Sequence, residues 1–343
     1  MGACHPKDVH FWKNIIHNLK RYGHEVKIVA WDKDVTLYLL NAYGFKYTII
    51  GRSYKSFFGK AYDMFKSDFK VFIVAKKFKP DLFIHGDPYL AHVSKITGKK
   101  HIEYCDTDHA HFIHLTTFPF SDVICTPTCF LKKINSRKHI AFDGYSELAY
   151  LHPNYFKPDS SVLNKLGLNI NDKFIIMRFV AWGASHDVNQ QGFTNKKILV
   201  EELEKYGRIF IFSENKLPNE FLKYQINMPP ESFHHLLYYA TMYIGEGATI
   251  AAEAAMLGTP ALYVNTLQLG YLNELEKKYE LVYNFSDQIN GQKEALEKAI
   301  HLLKNENLKK EWLQKKDQML KESVDVTNFM TELINTNLNN RKS

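Results

Sequence analysis

The chain has 343 residues, of which 45% are hydrophobic and 24% charged, a composition typical of a globular protein long enough for two domains. Its formal net charge of +7 favours anionic partners such as nucleotide phosphates or acidic lipid headgroups. No RNA-binding signature accompanies the basic residues, so nucleic acid is not expected. No secretory signal or disulfide framework is recognisable, and no apolar run approaches the roughly 20 residues that span a bilayer. These features predict a cytoplasmic protein with reduced cysteines.

Short apolar strands alternate with helices through the first half of the chain. The hydrophobic pattern predicts helices over 8–22, 33–43, 55–79 and 88–97, and strands over 25–31, 46–50, 81–85, 100–104, 122–125 and 139–142. This alternation is typical of parallel βαβ units. No clear strand precedes the first helix, which indicates a first strand that is short or missing and a truncated start.

The helix predicted over 55–79 mixes lysines with phenylalanines. We favour a helix packed on the core with its lysines in solvent. A second interpretation is peripheral contact with a membrane, in which the lysines meet anionic lipid and the phenylalanines enter the interface. Such contact would place the protein at the inner face of the membrane.

The second half of the chain repeats the alternation after a segment over 143–160 that contains two prolines and is predicted to be a linker. Strands are predicted over 173–179, 208–213, 241–245, 260–264 and 281–285, and helices over 194–205, 217–224, 231–240, 248–257, 268–278, 292–304 and 307–338. We therefore expect two doubly wound, Rossmann-like domains that face each other across a cleft. Their predicted limits are 1–150 and 151–310, with a C-terminal helical segment over 311–343 that packs back on the first domain.

The strongest local motif is MYIGEGATIAAEAAMLGTPALYV, from Met242 to Val264. A strand ends at Gly245, and after Gly247 a helix begins at Ala248, so backbone N–H groups and the helix dipole can hold an anion at this turn. Thr249 can add a hydroxyl to a phosphate, and Glu253 shares its helix face and can accept the hydroxyls of a ribose. The alternative is an ordinary glycine-rich turn with a solvent-facing glutamate.

GEGATIAAEAAMLGTP resembles the donor-binding segment of GT-B glycosyltransferases, among them the peptidoglycan N-acetylglucosaminyltransferase, and UDP-N-acetylglucosamine 2-epimerases share that architecture. HPKDVHFWKNII, DTDHAHFIHLTTFPFSDVICTP and RFVAWGASHD together resemble an uncharacterised archaeal and bacterial family of predicted glycosyltransferases. The resemblance implies an α/β fold of GT-B type. It also implies that Glu253 holds the nucleotide ribose and that Gly247, Ala248 and Thr249 hold the diphosphate.

Further residues follow strand ends on the same side of the second predicted sheet. Arg178 could pair with the donor diphosphate through its planar guanidinium, and a salt bridge at the strand end is the alternative. Ser185 and His186 follow in a polar loop, and Ser213 ends the next strand. We expect these residues to complete the donor site.

Four residues of the first half are candidates for catalysis: His5, Asp106, Asp108 and His109. His5 opens the first helix and could act as a general base, or it could simply cap that helix. The Asp106-Thr107-Asp108-His109 run could bind a divalent metal as a DxD motif, line an acceptor site without metal, or join nearby histidines in a zinc site. We favour the metal-free acceptor site, because a complete donor site is already predicted in the other half.

These motifs favour transfer of a sugar from a UDP- or dTDP-type donor to a glycan or lipid-linked acceptor in surface polysaccharide synthesis. No cofactor or metal is expected. Two alternatives stay open: a nucleotide-sugar 2-epimerase, whose acid and base groups could come from Asp106, Asp108, His186 and Asp187, and a non-catalytic nucleotide-binding protein. The epimerases' usual acidic-Ala-Gly run is replaced here by Asp106-Thr107-Asp108-His109, which makes the epimerase alternative less favoured.

Overall fold

The computed structural model describes residues 1–52, 57–179, 193, 195–213 and 217–339. Its contacts divide the chain into two compact units. Unit 1 comprises Met1–Tyr155 and Val324–Ser343, and unit 2 comprises Phe156–Ser323. Every strand pair in both units is parallel, as the alternation of strands and helices predicts.

Unit 1 contains two parallel sheets flanked by helices. Its strands are β1 (Gly2–Ala3), β2 (Ile28–Asp32), β3 (Tyr47–Arg52), β4 (Leu82–Ile84), β5 (Lys100–Tyr104), β6 (Val123–Pro127) and β7 (His139–Phe142). Its helices up to the unit boundary are α1 (Pro6–Arg21), α2 (Thr36–Ala42), α3 (Phe57–Phe78), α4 (Asp87–Ile96), α5 (His111–Thr117) and α6 (Leu148–Leu151), with a 3₁₀ turn at Phe118–Phe120. The strand orders are β1-β2-β3 and β4-β5-β6-β7.

The two sheets of unit 1 approach each other where β1 meets the end of β4. A Cβ atom at Gly2 would overlap with Cα of Gly86, the second residue after β4, so only glycine permits this approach. Side by side, the sheets have the doubly wound order 3-2-1-4-5, and the direction of winding reverses between β1 and β4. In folds of this kind ligands bind beyond the carboxyl ends of the strands at that reversal.

Helix α1 shows how the sequence fixes this end of the fold. Val9, Trp12, Ile15, Ile16 and Leu19 recur at helical spacing and are all buried, which confirms the predicted amphipathic helix. The helix begins at Pro6, two residues earlier than predicted, because His5 and Asp8 form a capping box around its first turn. This start places the first turn of α1 at the carboxyl end of β1.

The described residues of unit 2 form one five-stranded sheet in the order β12-β11-β10-β8-β9. Its strands are β8 (Phe174–Phe179), β9 (Arg208–Ser213), β10 (Met242–Gly245), β11 (Ala261–Val264) and β12 (Val282–Phe285). Its helices are α7 (Ser161–Asn164), α8 (Lys196–Leu203), α9 (Phe233–Tyr239), α10 (Ala248–Leu257), α11 (Gly270–Lys277), α12 (Gly291–Leu303) and α13 (Leu308–Glu322), with 3₁₀ turns at Asn219–Tyr224 and Pro230–Ser232. The winding of this sheet reverses between β8 and β10.

The prediction of a single C-terminal helix over 307–338 is wrong. Residues 308–322 form α13 of unit 2, and α14 (Val326–Asn339) belongs to unit 1 and packs on α1. Ser323 is extended, Val324 N donates to Asp143 O at 2.8 Å, and Asp325 accepts from Asn328 N at 3.0 Å. These bonds end one helix and start the next.

The segment predicted as a linker over 143–160 contains part of the core of unit 1. Tyr145 and all four residues of α6 are buried, and the boundary between the units follows at Tyr155. Two prolines and the lack of a clear period concealed this short apolar helix.

Helix α3 confirms the predicted packing on the core. Val71 and Ala75 are buried in a cluster with residues of β2, β3 and β4, whereas Phe65 and Phe69 are 70% and 65% exposed. In the part of the chain that the structure describes, no helix is both long and apolar enough to cross a membrane.

Candidate functional site

The glycine turn of unit 2 lies at the reversal point of its sheet. β10 ends at Gly245, Gly247 is the extended N-cap of α10, and α10 runs to Leu257. A Cβ atom at Gly245 would stand 2.6 Å from Tyr243 Oη and 2.8 Å from Arg178 O, so the turn requires glycine there. The first N–H groups of α10, from Ala248 onwards, have no acceptor within the helix, so they and the helix dipole favour an anion.

The parallel register brings Arg178 to this turn. Arg178 of β8 lies opposite Gly245 of β10, and its carbonyl oxygen accepts a hydrogen bond of 3.0 Å from Glu246 N. Its side chain lies beside Gly247, since a Cβ there would be 3.4 Å from Arg178 Cγ. The structure thus brings together the predicted guanidinium and the predicted phosphate-binding turn.

Glu253 lies in the second turn of α10 and is only 5% exposed. Its Oε1 atom is 2.9 Å from Nε2 of His234, a buried residue of α9. The alternative of a solvent-facing glutamate is therefore wrong. Thr249, one helical turn earlier on the same face, is half-buried. The role of Glu253 towards a ribose stays a prediction.

Three residues around the turn were missed by the sequence analysis: Tyr243, Glu246 and Asn265. Tyr243 donates from its hydroxyl to Gly247 O at 3.0 Å. Glu246 is buried, its Oε1 accepts from Phe193 N at 2.7 Å, and its carbonyl accepts from Asn265 Nδ2 at 3.2 Å. An acidic residue between two glycines was the available signal for Glu246. These three hydrogen bonds hold the backbone and side chain of the turn in place.

The other predicted donor residues are Ser213, Ser185 and His186. Ser213 is the last residue of β9, the edge strand beside β8. Ser185 and His186 lie outside the described residues.

In unit 1 a lysine joins two carboxylates close to the reversal point of its sheets. Lys7 Nζ lies 2.6 Å from Asp106 Oδ2 and 2.9 Å from Glu147 Oε1, and Ser146 donates to Asp106. Burial acts to raise the pKa of Asp106, but Lys7 and the hydrogen bonds outweigh it and hold that pKa low. Burial dominates at Glu147, the deeper of the two acids, and raises its pKa despite Lys7.

A histidine is held between two further carboxylates beside this cluster. His85 follows β4 in a left-handed conformation with φ of 50°. Its Nδ1 is 3.0 Å from Glu103 Oε1 and its Nε2 is 3.5 Å from Asp8 Oδ1. Burial acts to lower the pKa of His85, yet the charges of Glu103 and Asp8 raise it well above its ordinary value. His101, on the other side of Glu103, is neutral because burial lowers its pKa to about 3.

The four residues predicted for catalysis lie at two places in unit 1: His5 precedes α1, and Asp106, Asp108 and His109 lie in the loop after β5. Asp106 joins Lys7, as described above, and Asp108 Oδ1 accepts from Leu131 N at 2.7 Å. His109 is half-buried in the same loop. His5 Nδ1 accepts from Lys7 N at 3.3 Å, as expected for the helix-capping alternative. A neutral ring that accepts at Nδ1 carries its proton on Nε2, and a role of His5 in catalysis stays a prediction.

Within the described part of the chain, no group of three or more His, Cys, Asp and Glu side chains is arranged to hold a metal ion. All four cysteines are free thiols buried in the protein.

Two α/β units with parallel sheets, each with polar residues at its reversal point, define a fold of GT-B type, which confirms the expected fold class. The chain belongs to the family described as "Protein of unknown function (DUF354)", which matches residues 3–335. A relative, an uncharacterised protein of Methanocaldococcus jannaschii, is 28% identical over 170 residues. That alignment covers 46% of this chain and 49% of the relative, so it spans about half the length of each.

Solved structures of nucleotide-sugar enzymes have the same fold. The UDP-GlcNAc 2-epimerase of Neisseria meningitidis, bound to UDP-GlcNAc, matches with a TM-score of 0.71 and 14% identity over 98% of both chains. The spinosyn forosaminyltransferase SpnP matches with a TM-score of 0.61 and 11% identity over 98% of both chains. A glycosyltransferase of Rickettsia africae matches with a TM-score of 0.60 and 13% identity over 96% of this chain and 94% of that one. At these identities the similarity establishes the fold.

Proposed function

We propose that this protein is a glycosyltransferase that takes a sugar from a UDP- or dTDP-type donor bound in unit 2. The observation that carries the proposal is the convergence of Arg178, the Gly245–Gly247 turn and the start of α10 at one reversal point. A guanidinium beside free helix N–H groups suits a diphosphate, which needs several donors and positive charge. No metal is required in this arrangement, because the protein itself supplies the positive charge.

Glu253 is proposed to recognise the ribose of the nucleotide. It lies one helical turn beyond Thr249 on the same face of α10, so a diphosphate at the helix start would place the attached ribose near its carboxylate. His234 would fix the orientation of that carboxylate through their 2.9 Å contact. A uridine ribose offers two hydroxyls and a deoxyribose only one, so tighter binding of UDP than of dTDP is expected.

The acceptor is proposed to bind in unit 1 and to be a glycan or a lipid-linked sugar of surface polysaccharide synthesis. A lipid-linked acceptor is supported by α3, where the exposed Phe65 and Phe69 are interleaved with Lys66 and Lys70. Such a helix can touch an anionic membrane surface at the cytoplasmic side. His5, Asp106, Asp108 and His109 are proposed acceptor-side residues.

A second candidate function is nucleotide-sugar 2-epimerisation, which the cluster around His85 favours. Epimerisation needs an acid and a base beside a sugar ring, and unit 1 holds a protonated His85 between Glu103 and Asp8. Similarity of fold to the Neisseria enzyme also supports this candidate. The buried pairing of these groups makes transfer our first choice, because each charge is already matched within the protein.

Incubation of the protein with UDP-N-acetylglucosamine, without acceptor, distinguishes the candidates by NMR of the sugar. Without acceptor, a transferase leaves the configuration of the sugar unchanged, and its binding shifts or broadens the NMR signals of the nucleotide. Conversion at C2 would identify an epimerase and overturn the transferase proposal. Loss of nucleotide binding on addition of EDTA would contradict the metal-free donor site. If the protein binds the nucleotide sugar but transfers the sugar to no acceptor, it is a non-catalytic nucleotide-binding protein.

A further inference from the structure

Five large apolar side chains are exposed together on one helical layer of unit 1. Helices α3, α4 and α5 pack side by side in this layer. Each of the five side chains is more than 60% exposed: Phe65, Phe69, Ile96, Phe112 and Leu115. In the rest of the described chain, four large apolar side chains reach that exposure. Clustered apolar exposure of this kind marks a surface that meets a partner or a membrane.

The ring of His92 in α4 joins the three helices at their surface. Its Nδ1 lies 3.1 Å from Asp68 Oδ2 of α3, and its Nε2 lies 3.0 Å from Thr116 O of α5. His92 is half-buried, so this bridge lies at the outer side of the layer. The five apolar side chains lie within about one helical turn of the three bridging residues. They therefore belong to one patch.

A basic segment borders the same patch. Lys132 Nζ lies 3.3 Å from Nδ1 of His114 in α5, and Lys138 Nζ donates to Ser121 O at 2.9 Å. Segment 131–138 therefore lies along α5 and the 3₁₀ turn that follows it. It adds three lysines and one arginine to this side of the unit.

The positive charge of the whole chain is concentrated in this layer. Residues 64–78, 88–96, 111–120 and 131–138 contain nine lysines and arginines and one acidic residue, Asp68. Their net charge is +8, whereas the complete chain carries +7, so the remainder is close to neutral. The exposed apolar side chains are thus surrounded by a strongly positive surface, which complements a negatively charged one.

We propose that the outer surface of α3, α4 and α5 together with segment 131–138, here called the docking face, binds an anionic lipid bilayer. Basic side chains attract the headgroups, while phenylalanine, leucine and isoleucine enter the boundary with the acyl chains. The docking face is wider than α3, which carries only two of the five exposed apolar residues. A second copy of the chain fits less well, because it would bring the same positive charge against this face.

The docking face extends to the proposed acceptor side of unit 1. Leu131 is exposed, and its N–H group donates to Asp108 Oδ1 at 2.7 Å. The inference rests on the proposed function for its purpose, which is to bring Asp108 next to a lipid-linked acceptor at the bilayer surface. Binding to a bilayer needs neither donor nor acceptor, so it can be measured separately.

Flotation with lipid vesicles tests the docking face. The unmodified protein should bind vesicles of equal parts phosphatidylcholine and phosphatidylglycerol about tenfold or more tightly than vesicles of phosphatidylcholine alone. Added salt should weaken this binding, because it screens the headgroup charge. Absence of binding to the anionic vesicles, or equal binding to both kinds, would overturn the proposal.

Variants on the α5 side distinguish the docking face from contact by α3 alone. Phe112→Ser combined with Leu115→Ser should weaken binding to anionic vesicles about tenfold or more, because two apolar side chains are lost from the interface. Lys133→Glu combined with Arg137→Glu should have a similar effect through charge. Unchanged binding in both double variants would contradict the assignment of α5 and segment 131–138.

Matched control variants lie in unit 2. Ile170→Ser combined with Ile289→Ser removes two similarly exposed apolar side chains. Lys304→Glu combined with Lys310→Glu changes the net charge of the chain by the same amount as the basic variant. Both controls should bind anionic vesicles like the unmodified protein. Equal losses in the controls would show attraction without a defined face and would overturn the proposal.

Titration of UDP separates this inference from the proposed donor site. The docking-face variants should bind UDP like the unmodified protein, because their substitutions lie in unit 1. Intact UDP binding without vesicle binding would overturn the docking face alone, whereas vesicle binding without UDP binding would contradict the donor site alone. If Phe112→Ser with Leu115→Ser lowers the sedimentation coefficient of the lipid-free protein to that of a smaller assembly, the patch joins copies of the chain and the proposal fails.

Discussion

Replacement of Lys7 by methionine tests the buried charge cluster of unit 1. The lysine side chain is 18% exposed and its two partners, Asp106 and Glu147, are 15% and 2% exposed. Removal of the cation leaves two carboxylates close together with little access to water. Loss of one partner of a buried ion pair typically costs about 3–5 kcal/mol, and we expect the lower end because Lys7 and Asp106 keep some solvent contact.

Urea unfolding followed by circular dichroism measures this cost. Lys95→Met is the matched control, because its 2.7 Å bond to Asp122 lies at the surface, where both side chains are more than 30% exposed. The control should cost less than about 1 kcal/mol. The deficit of Lys7→Met should shrink as pH falls from 8 to 5, since the two acids can then take up protons. Equal costs for the two lysines, at any pH, would refute the reasoning.

The turn and the histidine cluster give two further predictions. Gly245→Ala should lower the free energy of unfolding by about 1–3 kcal/mol and weaken UDP binding, because its Cβ would meet the Arg178 carbonyl at 2.8 Å. Gly247→Ala has its nearest contacts at 3.3 Å or more, so it should have smaller effects in denaturation and binding assays. The reverse order of effects would contradict the close approach at Gly245. Since the pKa of folded His85 is raised above its unfolded value of 6.5, its stabilisation is complete below pH 6.5 and is lost as pH rises through the folded pKa. Urea titrations should show this slope in the unmodified chain and lose it in His85→Gln, and an unchanged slope would exclude His85 as its source.

Local sequence signals predicted many of the helices and strands and the structure of the glycine turn. The strand, the Gly-Glu-Gly turn and the alanine-rich helix of β10 and α10 are adjacent in sequence, so hydrophobic period and glycine placement defined them. Arg178 was also a strand-end candidate from sequence. Its position opposite Gly245 depends on the parallel register of β8 and β10, which only the folded sheet fixes.

Long-range partners were beyond sequence reasoning. His234 and Glu253 are 19 residues apart, and Lys7 and Asp106 are 99 apart. Neither pair has a local pattern, because the contacts arise when separate helices and loops meet. The break between α13 and α14 was missed for the same reason, since Val324 bonds to Asp143 far away in sequence.

Isothermal titration of UDP against Glu253→Gln tests the central claim most directly. Glutamine keeps the size and the acceptor for His234 but removes the charge, so UDP affinity should fall about tenfold or more. Glu276→Gln is the control, because Glu276 bonds Asn284 of the edge strand β12. Its affinity should match that of the unmodified protein. Unchanged affinity in folded Glu253→Gln would contradict the proposed nucleotide site.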